Sequence, residues 1–172
     1  MEREALLLRR MRQGEEEAIE TFVRAHYPAI LRYCRCHLRD SQEAEDMTQE
    51  TFARFFANLD QYKHYGKAAN YLYVVAGNLC RDQARKSIPL PMEALPEPTA
   101  PPQADLDARA DLEAAFRALP PDLRSAAVLF FLEERRQREI AKILGIGLPL
   151  VKYRIRKART LLAAYLRREV PQ

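Results

Sequence analysis

Gln137-Arg138-Glu139-Ile140-Ala141-Lys142-Ile143-Leu144-Gly145-Ile146-Gly147-Leu148-Pro149-Leu150-Val151-Lys152-Tyr153-Arg154-Ile155 is the stretch on which the reading of this chain turns. A helix-turn-helix needs a small residue where its helices cross. It needs glycine where the turn takes a positive φ, and a branched apolar residue on the second helix. Ala141, Gly145 and Val151 meet these needs, four and then six residues apart. Ile140, Ile143, Leu144 and Ile155 complete the buried face. Pro149 suits the first turn of a helix, where its missing N–H costs nothing.

The long helix predicted from Leu148 to Arg168 has an inner stripe of Val151, Ile155, Ala158, Leu162 and Leu166. Lys152, Tyr153, Arg154, Arg156, Lys157 and Arg159 lie largely off that stripe. From Gly145 to Arg168 there are seven basic residues and no acidic one. A one-sided basic helix behind a tight turn is the arrangement that enters a major groove. Lys152 and Arg154 are the leading candidates for base contact, and Arg156, Lys157 and Arg159 for phosphate contact. The plainer reading is a solvated basic face on a helical hairpin. The turn chemistry and the charge asymmetry together favour DNA.

Outward from this motif, the chain has 172 residues, 48% hydrophobic and 30% charged, with a net charge of +4. Such a composition is globular rather than disordered. Five glycines and an excess of Ala, Leu, Arg and Glu favour helix almost throughout. Six of the eleven prolines fall between Pro89 and Pro102. Proline removes backbone donors and favours extended chain, so this stretch reads as a semi-rigid linker. The predicted architecture is all-α: a helical domain over 1–87, a linker over 88–105, and a helix-turn-helix domain over 106–172. The apolar run Ala126–Leu132 is far shorter than a membrane span. With no export signal visible, the three cysteines are expected to be reduced thiols in the cytoplasm.

In the N-terminal part, Glu2–Gln13 reads as an amphipathic helix stopped by Gly14. A second helix follows, and Pro28 is expected to open a third. Asp40 and Glu43 form a capping-box signature. The helix beyond it carries Ala44, Met47, Thr48, Thr51, Phe52, Phe55, Phe56 and Leu59 at three-to-four spacing. The segment Asp60–Lys67 breaks the pattern before a helix from about Ala69 to Lys86. That segment mixes Tyr62, Lys63, His64, Tyr65 and Lys67: planes able to stack on unpaired bases and cations for the backbone, or, on the plainer reading, a loop whose tyrosines cap the core.

Two segments flanking the linker then carry a resemblance. Ala44-Glu45-Asp46-Met47-Thr48-Gln49-Glu50-Thr51-Phe52 resembles the A-E-D-L-V-Q-E-T-F stretch of extracytoplasmic-function sigma factors, the small two-domain members of the sigma-70 family. Leu72-Tyr73-Val74-Val75-Ala76-Gly77-Asn78-Leu79 is similar to their next helix. Leu119-Pro120-Pro121, Arg138 to Ile146, and Val151 to Arg154 resemble their promoter-reading domain. The resemblance implies that Asp46, Gln49, Glu50 and Phe52 dock on core RNA polymerase. It implies that Tyr62, Lys63, His64, Tyr65, Lys67, Asn70, Tyr71, Arg81 and Arg85 take the melted −10 element. The helix-turn-helix reads the −35 element as duplex, and an anti-sigma factor is an expected partner. Departures are visible: Tyr71 stands for a usual Trp, Val74 and Gly77 for often basic residues, Gly147 for a Ser cap, and Leu150 for a Thr.

Other readings rank lower. Residues two apart point to different sides of a helix, so Cys34-x-Cys36 beside His37 is a poor chelate, and no metal or cofactor is expected. There is no phosphate-binding glycine loop and no recognisable nucleophile arrangement, so no catalytic residue is assigned. The serious competitor is a stand-alone DNA-binding regulator, which would bind an operator without polymerase.

Overall fold

The computed structural model describes residues 2–64, 66–86 and 104–169, with the side chains of 104–107 and 168–169 left aside. Every regular element among the described residues is helical. The linker prolines and Tyr65 lie outside the described residues.

Four helices build the N-terminal half: α1 (Glu2–Arg12), α2 (Glu16–Arg35), α3 (Ser41–Ala57) and α4 (Ala68–Lys86). Asp40 caps α3, its Oδ1 accepting from the amides of Gln42 and Glu43 at 2.8 and 3.2 Å. Those donors have no partner inside the helix, so the cap fixes where α3 starts. From there α3 buries Ala44, Thr48, Thr51, Phe52 and Phe55. The two threonines are satisfied within the helix, donating to the carbonyls of Ala44 and Met47 at 2.7 Å. Phe55 stacks on Phe22 of α2 with ring centroids 4.9 Å apart. Leu72, Tyr73, Ala76 and Cys80 of α4 close the core.

Pro28 does not open a helix; it sits inside α2. Proline in a helix interior costs about 3 kcal/mol through a lost hydrogen bond and a ring clash. The helix continues because its buried face spans the proline, with Phe22 before it and Ile30, Tyr33 and Cys34 after it. Local propensity is overridden by packing on both sides.

The C-terminal half comprises α5 (Ala104–Arg117), α6 (Pro121–Ala127), α7 (Gln137–Leu144) and α8 (Leu148–Glu169). A single π-helical turn, Val128–Leu132, prolongs α6, with the Glu133 amide reaching back to the Val128 carbonyl at 3.1 Å. Gly145 ends α7 in the left-handed region at φ 65°, and the amides of Gly145 and Ile146 both point at the Ala141 carbonyl. Glycine adopts that φ at no steric cost, as the motif requires. Val151, Ile155, Ala158 and Leu162 of α8 are buried against α6 and α7. Leu166, expected on the same stripe, is 43% exposed. A 3.6-residue repeat needs alternating steps of four and three, and the next inward position after Leu162 is Tyr165, which is partly buried.

The two halves pack on each other, with α4 against α7. The guanidinium of Arg117 donates to the Arg35 carbonyl at 2.7 Å. His37 at the end of α2 bridges the Tyr33 carbonyl (2.8 Å from Nδ1) and the Ser125 hydroxyl of α6 (3.1 Å from Nε2). Burial lowers the His37 pKa from 6.5 to about 4, and the charges of Arg124 and Arg81 push the same way against the Tyr33 hydrogen bond. The unfolded chain therefore takes up a proton near 6.5 that the folded chain refuses until about 4. Stability from this site is full above the higher value and is lost as pH falls toward the lower one. Thermal melts from about pH 7 to about pH 5 should show a falling midpoint, with a shallower fall in His37→Gln. An equal fall in both proteins would assign the effect elsewhere.

Candidate nucleic-acid interface

The basic set of the helix-turn-helix sits where α8 leaves its own core. Lys152, Tyr153, Arg156, Lys157 and Arg159 are exposed, while Val151 and Ile155 between them are buried. Helical spacing thus places an apolar stripe and a cationic stripe back to back on one rod. Lys157 Nζ lies 3.3 Å from the Tyr153 hydroxyl and 5.7 Å from its ring centroid. Arg159 leans over the Phe131 ring at 5.5 Å. Arg154 is only partly exposed: it faces the N-terminal half across a cleft shared with Arg81 and Ala84 of α4. Ala141, Gly145 and Val151 hold the geometry beneath, and Val151 is fully buried.

The second set gathers at the α3–α4 connection. Tyr62 packs against Phe55 and Tyr71 at centroid distances of 5.4 and 5.1 Å, so the core backs both tyrosines. Asn58, Gln61, Tyr62, Lys63 and Tyr71 line an open cavity of about 390 Å³. Its walls are aromatic faces, amides and one cation, the surfaces an unstacked base needs. His64 Nδ1 lies 3.3 Å from the Tyr62 hydroxyl. Burial raises the Tyr62 pKa. The Asn70 Oδ1 is buried with no hydrogen-bond partner. Lys67 reaches across to Glu139 of α7, Nζ to Oε1 3.1 Å. Arg81 and Arg85 are exposed on α4, away from this cavity, with Arg85 3.9 Å from Asp82.

Two residues that hold this connection were not legible in the sequence. Arg12 of α1 donates to the carbonyls of Leu59 and Tyr62, and Glu4 Oε1 accepts from the Ala68 amide at 2.8 Å. One clamps the entrance of the loop and the other caps α4 at its exit. Only a sequence separation of 47 to 64 residues joins them, and no local pattern reports such a contact.

On α3, Asp46, Gln49 and Glu50 form an exposed polar face. Asp46 accepts from Gln42 at 3.1 Å and Glu50 from Arg54 at 3.0 Å. Phe52 does not belong to that face. It is 5% exposed and stacked on Tyr27 at 5.9 Å, because its helical position points inward with Thr48 and Phe55. Cys34, Cys36 and Cys80 are free and buried. Among the described residues no group of three His, Cys, Asp or Glu is placed to hold a metal ion. No helix among them is long and apolar enough to cross a membrane.

Known proteins show the same two-part pattern. Residues 22–87 match the family model of Sigma-70 region 2, and residues 109–162 that of Sigma-70, region 4. The chain is 35% identical over 166 residues to the ECF RNA polymerase sigma factor SigE of Mycolicibacterium smegmatis, covering 89% of this chain and 64% of that protein. It is 31% identical over 148 residues to the RNA polymerase sigma-E factor of Streptomyces coelicolor, covering 84% of each. SigW of Bacillus subtilis is 28% identical, with 93% of this chain and 95% of that protein covered. Among solved structures, CnrH in complex with the cytosolic domain of CnrY superposes with a TM-score of 0.77 at 22% identity, covering 96% of this chain and 97% of that one. RpoE bound to the anti-sigma factor NepR from Bartonella quintana gives 0.71 at 22%, covering 88% and 98%.

Proposed function

The chain belongs to the extracytoplasmic-function group of the sigma-70 family, and on that premise we propose how its two halves divide the work of an RNA polymerase sigma factor. The N-terminal half, 1–87, docks on core polymerase through Asp46, Gln49 and Glu50 of α3. Its α3–α4 connection then takes unpaired bases of the −10 element. Tyr62 and Tyr71 stack, while Lys63, His64, Lys67 and Asn70 hold backbone and edges. Tyr65 and the α4 cations Arg81 and Arg85 extend the same track. The C-terminal half, 106–172, lays α8 in the major groove of the −35 element. There Lys152 and Arg154 meet base edges, and Tyr153, Arg156, Lys157 and Arg159 meet phosphates. The segment 88–105 links the two. The protein performs no chemistry of its own and works in the bacterial cytoplasm, under control of an anti-sigma factor.

The observation that carries this reading is the pairing of two unlike nucleic-acid surfaces in one chain. One is a rigid cationic helix suited to duplex DNA, and the other a tyrosine-walled cavity suited to single strands. A stand-alone regulator has no use for the second, and the match over 22–87 does not favour one.

The test is binding with and without core polymerase. Promoter DNA should be held weakly by the protein alone and tightly with core. With about five phosphates neutralised by α8 and its flanks, log K should fall against log salt with a slope of roughly −4 to −5. Tight, specific binding to paired half-sites by the protein alone would instead mark a regulator.

A further inference from the structure

A cleft of about 330 Å³ opens where α4, α6 and α8 meet. Guanidiniums from three different helices line it: Arg81 of α4, Arg124 of α6 and Arg154 of α8. Among the described residues Asp122 is the one acid in its lining. Like charges gathered in one place repel, and a carboxylate ordinarily answers the repulsion. Elsewhere in this fold one does. Arg32 donates to the buried Glu133 carboxylate across the interface at 2.7 and 2.9 Å, and Arg54 donates to Glu50 at 3.0 Å. Arg81 and Arg154 have no hydrogen-bond or ion-pair partner among the described residues. Arg124 donates only to neutral groups, the carbonyls of Phe116, Arg117 and Leu119 at 3.3, 2.7 and 2.9 Å. Those bonds fix its guanidinium in place, and burial together with the charge of Arg117 lowers its pKa.

The rest of the wall narrows the chemistry. His37 is neutral at pH 7, its pKa being about 4. Its Nδ1–H donates to the Tyr33 carbonyl, so its Nε2 accepts from the Ser125 hydroxyl. Both side chains are thereby engaged, and the donors left for a ligand are guanidinium N–H groups. A ligand here must be negative and rich in acceptor oxygens. A carboxylate offers two oxygens, too few for guanidiniums converging from three helices, whereas a diphosphate offers enough. Gly77 shapes the floor: a Cβ there would lie 3.1 Å from Tyr33 Oη and 4.0 Å from Arg81 Nη2. Glycine is unfavourable inside a helix, and here it leaves room beside the Arg81 guanidinium. Ala84, Pro121 and Leu144 supply an apolar side.

We propose that this cleft binds a small diphosphate-bearing anion, clamped by Arg81, Arg124 and Arg154. Inorganic pyrophosphate and the diphosphate end of a nucleotide share that chemistry, and a nucleoside would lie along the apolar side. The site depends on the packed chain alone and does not rest on the DNA-binding roles proposed above for Arg81 and Arg154.

Calorimetric titration of the full chain in metal-free buffer, without DNA or polymerase, tests the site with pyrophosphate and with adenosine diphosphate. One anion should bind per chain, and sulfate at matched ionic strength should not replace it. Arg81→Gln, at an exposed position, should weaken pyrophosphate about tenfold or more, the usual loss for a hydrogen bond between charged groups. Asp122→Asn should tighten it, since that acid opposes the charge of the ligand. Lys142→Gln, exposed on α7 and outside the lining, should leave it unchanged. Adenosine diphosphate binding more tightly than pyrophosphate supports the site and assigns a nucleotide; the reverse supports it and assigns the inorganic anion. No binding up to about 1 mM overturns the site. Equal losses in Arg81→Gln and Lys142→Gln also overturn it, because they mark a general attraction of polyanions to a basic surface.

Discussion

Replacing Arg154 with alanine will lower transcription from a cognate promoter by about fivefold to 150-fold while leaving the affinity for core polymerase unchanged. The range follows from about 1–3 kcal/mol of discrimination for a guanidinium making a two-pronged contact to a base edge. The sparing of core binding follows from placement. Arg154 projects from α8, between the buried Val151 and Ile155 and the exposed Arg156. The polar face of α3 belongs to the other half. Removing a phosphate contact such as Arg156 should weaken all duplex sequences alike, whereas Arg154→Ala should relax selectivity at one position. Run-off transcription and a core pull-down on the same variant separate the two effects. Loss of core binding in Arg154→Ala would overturn the division of labour between the halves.

The second large effect is structural. Phe55→Ala should cost about 3–5 kcal/mol, the usual loss for a fully buried aromatic in a core that cannot collapse. Phe55 is fully buried, stacked on Phe22, and backs both Tyr62 and Tyr71. Against a total stability of about 5–15 kcal/mol, that is a large share. The midpoint of thermal unfolding should drop by roughly 6–20 °C for a chain of this size. Single-stranded binding at the tyrosine cavity should fall with it, because the walls lose their support. Phe56→Ala, at a partly buried position, should do much less. Equal midpoints for the two variants would mean that the aromatic stack does not anchor this half.

What was legible follows from how local each signal is. The α7–turn–α8 unit was readable because a left-handed glycine, a crossing alanine and alternating apolar steps all lie within one short stretch. The aromatic face of α3 was readable for the same reason. Pro28 misled because its local preference yields to packing on either side of it, which one segment cannot report. Phe52 was placed on a partner surface by resemblance, while its helical phase with Thr48 and Phe55 already pointed inward. Leu166 was carried one residue too far along a stripe that turns to Tyr165. Nothing in the sequence announced Arg12, Glu4 or Glu133. Each acts on a group dozens of residues away, and an exposed-looking acid or arginine carries no mark of its distant partner.

As a sigma factor, this chain gives polymerase its choice of promoter. The most direct measurement is run-off transcription with sigma-free bacterial core polymerase and a pool of genomic fragments, with and without the purified protein. Discrete new start sites that appear only with the protein and share two upstream elements, one at −10 and one at −35, are the expected result. No start sites, together with protection of a specific duplex site by the protein alone, would contradict it.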